Sequence, residues 1–182
     1  MATPTTSLAV LALVLVPVGA YAIEYEGPQF SYYDVSGNPK QIAEEMRSNG
    51  RNGHYAHTDY HIDYRFRSTR SPQGCAVTWT EVRLRVAIRL PRLVEGDADV
   101  RRRWSTFEPA LRHHELGHEA IALAAAHEIE SALLRVHGQP SCPVADSLAT
   151  ARANDILADL RTRDESYDRE TNHGRTQGAI FP

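Results

Sequence analysis

Between His57 and Arg67 polar and apolar side chains alternate without a break. Thr58, Tyr60, Ile62, Tyr64 and Phe66 fall on one side of an extended chain, and His57, Asp59, His61, Asp63, Arg65 and Arg67 fall on the other. After Ser71-Pro72-Gln73-Gly74 the alternation resumes, with Val82, Leu84, Val86, Ile88 and Leu90 opposite Glu81, Arg83, Arg85 and Arg89. A period of two belongs to a strand with one wet face. Two such runs joined by a Pro/Gly loop predict an antiparallel hairpin, which Pro91 should end.

The period then changes. From roughly Asp99 to His137 the chain is rich in Ala and Leu, and Ile121, Ala122, Ala125, Ile129, Ala132 and Val136 continue one helical stripe. Gly138 is a stop signal. Gln139-Pro140-Ser141-Cys142-Pro143 makes a turn, and a second helix should run from about Val144 to Tyr167. Upstream, a short helix is expected over Pro39–Ser48, capped by Ser36 or Asn38, and Ile23–Tyr33 reads as an extended opening segment. Strands first and helices after predict an α+β fold, an antiparallel β hairpin or sheet packed on a long two-helix hairpin. No repeat or linker divides it.

The N-terminus changes the picture of where this domain works. Leu8–Val18 is apolar for roughly 11 residues, whereas a membrane span needs about 20. It leads to Ala20-Tyr21-Ala22, a small-x-small cleavage pattern. Residues 1–22 are therefore expected to be a signal peptide and 23–182 a single domain, exported to the periplasm or beyond, with no stable membrane span. Cys75 and Cys142 are the only cysteines, and in an oxidising compartment they are expected to pair, closing a loop of about 67 residues. A net charge of −3 with 24% charged residues gives no argument for a nucleic-acid partner.

His114-Glu115-Leu116-Gly117-His118 carries the chemistry. Residues four apart share a helix face, so both imidazoles can reach one zinc ion per chain, with Glu115 placed to take a proton from water. A catalytic zinc needs a third ligand. His127 lies about 180° around the helix from His118, and Glu128 about 15 Å along it, so neither can close the site. Counting out and back along the helical hairpin brings Tyr167-Asp168-Arg169-Glu170-Thr171-Asn172-His173-Gly174 level with the motif. His173 is the preferred third ligand. Asp168 is the alternative, as ligand or as the carboxylate orienting an imidazole. Tyr167 is a candidate donor to an oxyanion. Glu119 reads as a salt-bridge residue, and His54, His57 and His61 as surface residues at the edge of a substrate groove.

Tyr32-Tyr33-Asp34-Val35-Ser36-Gly37, the Tyr-rich run Thr58–Phe66, Gly74-Cys75, Arg112–Ile121, Ser141-Cys142 and the block from Tyr167 to Gly174 together resemble a bacterial family. It is domain-of-unknown-function family 922, labelled secreted zinc-dependent proteases, a label that itself rests on the motif. The resemblance implies metal ligands at His114 and His118, a catalytic Glu115, and a terminal block that belongs to the site. The expected function is a secreted zinc metalloprotease acting on a peptide or protein substrate. Two alternatives stay open: a non-enzymatic envelope protein that binds a partner and has a structural or absent metal, and a zinc amidase acting on cell-wall peptide.

Overall fold

The computed structural model describes residues 23–181. The segment read as a signal peptide lies outside them. In chain order the elements are β1 (Ile23–Glu24), β2 (Gln29–Ser36), α1 (Pro39–Asn49), β3 (His57–Ser71), β4 (Gly74–Glu95), α2 (Ala98–Leu134) and α3 (Cys142–Thr171), followed by one 3-10 turn at Arg175–Gln177.

β4 organises the sheet. It pairs antiparallel with β3, from Ser71↔Gly74 at the turn to His57↔Arg89 at the open end. Its other edge would otherwise leave backbone donors and acceptors unpaired. There β1 and β2 pair in parallel, with Ile23 beside Val82 and Phe30 beside Ile88. The sheet is therefore mixed, which corrects the expectation of an antiparallel one. The cause is α1, with the capping box of Asn38 and Gln41 at its start. It carries the chain from β2 across to the far edge of β4, where β3 enters in the opposite direction.

Pro91 does not end β4. Beyond Arg89 the strand has lost β3 as a neighbour and keeps only β2, and a residue without an N–H is tolerated where one side of a strand is free.

Val82, Leu84, Val86, Ile88 and Leu90 are buried, and the arginines between them face outward. Against this face pack Phe107, Ala122, Ala126, Ile129 and Leu133 of α2 and Ala145, Ala149 and Ala153 of α3. The alanines let two long helices lie close to each other and to the sheet. α2 stops three residues before His137, with its last carbonyls capped by the Arg135 N–H. α3 begins at Cys142, with Pro143 in its first turn, and runs four residues past Tyr167. That extension keeps Asp168 helical. Glu119 makes no ion pair among the described residues; it accepts a hydrogen bond from the Tyr25 hydroxyl instead, tying the chain after β1 to α2. No helix among the described residues is long and apolar enough to cross a membrane.

Cys75 and Cys142 form a disulfide. It fastens the start of β4 to the first turn of α3, beside backbone hydrogen bonds of 2.8 and 2.9 Å between Cys75 and Gln139. Replacing both cysteines by alanine should lower stability by about 4 kcal/mol, because a long loop is released in the unfolded chain. Denaturant unfolding of the variant against wild type measures this, and an unchanged midpoint would show that the bridge restrains nothing.

Candidate metal centre

α2 and α3 run antiparallel, and their register matches two pairs of residues spaced by four. His114 stands opposite Asp168, and His118 opposite Asp164. His114 Nε2 and His118 Nε2 are 3.3 Å apart, and Asp168 Oδ1 is 3.2 Å from each. The three atoms form a nearly equilateral triangle. Donors held about 2.0–2.1 Å from a tetrahedral zinc ion are separated by about 3.3–3.4 Å, so these edges suit such an ion with a fourth position open. His114, His118 and Asp168 thus form a group that can hold a metal ion.

The outer ring nitrogens explain why the inner ones are free. His118 Nδ1 lies 2.7 Å from Asp164 Oδ1, and His114 Nδ1 lies 3.1 Å from Gln177 Oε1. Each acceptor fixes the ring proton on Nδ1 and turns an Nε2 lone pair inward. Gln177 is itself set by Tyr167, whose hydroxyl accepts from Gln177 Nε2 at 3.0 Å and donates to the His114 carbonyl at 3.2 Å. The two Nε2 atoms and Asp168 Oδ1 then face one another around a space that a cation could fill.

Burial and the neighbouring charge of His118 lower the His114 pKa. Burial pulls His118 down too, but the hydrogen bond and charge of Asp164 outweigh it and leave its pKa raised. Glu115 is 4% exposed, and burial raises its pKa to about 7 against the opposing hydrogen bond from Thr58. That bond, Thr58 Oγ1 to Glu115 Oε2, is 2.7 Å long and reaches across from β3. The group opens into a cavity of about 320 Å³, walled by the Arg51–Thr58 segment on one side and by the end of α3 on the other.

His173 does not join the group. After Thr171 the chain turns through three left-handed residues, Asn172, His173 and Gly174. The His173 ring is thereby carried to the mouth of the cavity, where it lies 4.4 Å from the His54 ring, with Nδ1 3.3 Å from Asp168 Oδ1. Asp168, still in α3, occupies the place expected for His173. Tyr167 also differs from expectation. Its ring stacks on His114 at 5.1 Å, and its hydroxyl is turned into α2, committed to the His114 carbonyl and Gln177 rather than to a bound carbonyl group. Only a glycine allows this, since a Cβ at Gly117 would lie 2.0 Å from the Tyr167 hydroxyl oxygen. Of the three outlying histidines, His54 and His57 line the cavity, whereas His61 pairs with Asp63 on the outer face.

The hydrophobic pattern of the sequence does not single out Asp164 or Gln177, and it marks Thr58 only as a strand residue. Asp164 had a signal: it precedes Asp168 by four residues, the spacing that drew attention to the two histidines.

A family model described as a bacterial protein of unknown function (DUF922) matches residues 30–174. The chain belongs to this family. The match covers β2 through the end of α3, so the DUF922 region includes His114, Glu115, His118, Asp164 and Asp168. The description names no reaction, and a protease activity is not part of what the match establishes. No curated protein and no solved structure matches the chain.

If Asp164 orients His118 as the geometry indicates, Asp164→Asn should bind Zn2+ about 10–100-fold more weakly with the fold intact. Competition with a chelator measures the affinity and circular dichroism monitors the fold. Equal affinities would remove Asp164 from the centre.

Proposed function

We propose that this chain is an exported zinc-dependent peptidase. The observation that carries the reading is a buried carboxylate, Glu115, beside three metal-donor atoms at the floor of an open cavity. Zinc held by His114, His118 and Asp168 would supply a Lewis acid toward water and toward a peptide carbonyl.

The chain's own residues supply the rest. Glu115 accepts the proton of the attacking water as the new C–O bond forms. It then passes that proton to the amine released when the C–N bond breaks. Burial, which raises the Glu115 pKa in the metal-free chain, favours proton uptake by this carboxylate. Thr58 holds the carboxylate in place, while Asp164 and Gln177 hold the imidazoles. The substrate backbone has a natural seat: β3 begins at the cavity and pairs with β4 along one edge only, so an extended peptide can add to its free edge.

A structural ion gives no reason to bury a carboxylate next to it, and this favours hydrolysis over the partner-binding alternative. Cell-wall peptide falls within the same chemistry. The disulfide suits export to an oxidising compartment.

Zinc-loaded wild type, Glu115→Gln, Asp168→Ala and His173→Ala should be compared for metal content and for turnover of a quenched-fluorescent peptide library. Glu115→Gln should keep its zinc and lose about 10²–10⁴-fold in rate. Asp168→Ala should lose the metal, and His173→Ala should retain it. Wild-type turnover by Glu115→Gln would overturn the reading.

A further inference from the structure

The mouth of the cavity is built from two turns of similar make-up. One, Arg51-Asn52-Gly53-His54, closes with a bridge between Arg51 and His54. The other, Asn172-His173-Gly174-Arg175, leads out of α3. Each offers one arginine and one histidine, and the two histidine rings touch across the opening. Among the described residues, the non-glycine positions in left-handed backbone are Asn52, Asn172 and His173, and all three line this cavity. Such conformations are unfavourable for residues with a side chain and collect where function fixes the geometry.

The charges along the cavity are segregated. Its carboxylates are Glu115, Asp164 and Asp168, all at the metal group. The turns at the mouth carry Arg51 and Arg175 and no carboxylate of their own; the carboxylates that touch mouth residues are Asp168, 3.3 Å from His173, and Asp59, 3.5 Å from His57. Arg51 shares an ion pair with Asp59, which does not line this cavity, while Arg175 forms no ion pair among the described residues. Both arginines are exposed. Guanidinium groups present paired donors that match a carboxylate, and asparagine amides at the same rim add neutral donors.

We infer that this mouth is a carboxylate-binding subsite, which selects peptides bearing an acidic side chain or a free C-terminus close to the scissile bond. The inference rests on the peptidase reading for the bond that is cut but not for the binding itself. An acidic group entering the cavity meets the two arginines at the rim, and the peptide bond next to it reaches the metal group on the floor.

Binding to zinc-loaded Glu115→Gln protein tests this, using calorimetry with three N-acetylated hexapeptides. The first has a central Asp and an amidated end, the second Asn and an amidated end, and the third Asn and a free C-terminal carboxylate. At least one carboxylate-bearing peptide should bind about tenfold or more tighter than the amidated Asn peptide. That advantage should vanish in protein that also carries Arg51→Gln and Arg175→Gln. Which of the two peptides gains shows whether a side chain or a terminus is read. Equal affinity of all three, no binding by any, or an advantage that survives loss of both arginines would overturn the subsite. Turnover of the same peptides by wild type separates this inference from the peptidase reading. A peptide that binds through the arginines but is never cut leaves the subsite standing and removes the peptidase. Cutting without preference does the reverse.

Discussion

The register between α2 and α3 is the constraint on which the remainder depends. Antiparallel helices present residues spaced by four in matched pairs, and here the pairs are His114 with Asp168 and His118 with Asp164. A slip of one residue would turn each carboxylate by about 100° and dissolve the triangle of donor atoms. Several features fix the register. The alanines of both helices allow close approach, the disulfide sets where α3 begins, and Arg163 forks onto both oxygens of Glu128 at 2.8 and 3.0 Å. Gly117 provides the gap into which Tyr167 fits. Tyr167 therefore acts as a wedge behind the His114 ring.

The sheet has a different task. It supports α2 from below and sends the start of β3 past the motif, where Thr58 reaches Glu115. Three carboxylates and two imidazoles then share a small, largely buried volume. Burying such groups is costly unless each is paired, and hydrogen bonds from outside satisfy the outer atoms of both rings. The two inner Nε2 atoms face only each other and Asp168 Oδ1, an oxygen that His173 Nδ1 also approaches from the mouth at 3.3 Å. The electrostatics and the geometry thus point the same way, toward a cation at the centre of the triangle.

Much of this was legible in the residues themselves. The β3–β4 hairpin shows in its period of two, and the long helices show in the Ala-rich stripe. Counting out and back along the helices placed Tyr167 level with His114, and the two do meet. The opening strands were harder to read. β2 is exposed from Gln29 to Tyr32, so it lacks the alternation that marks a half-buried strand, and its parallel pairing comes from the path of α1. The relative standing of Asp168 and His173 turned on where α3 ends. Four further helical residues keep Asp168 aimed between the imidazoles and send His173 to the mouth. The role of Tyr167 depends on a missing side chain at Gly117, which no pattern of hydrophobicity records.

The central claim is that two imidazoles and one aspartate close a metal site across this helix pair. A crystal structure of the zinc-soaked protein, with anomalous scattering recorded at the zinc edge, tests it most directly. One ion is predicted, about 2.0–2.1 Å from Nε2 of His114 and His118 and from a carboxylate oxygen of Asp168. An ion bound by His173 in place of Asp168, or no ion between the two helices at saturating zinc, would contradict the account.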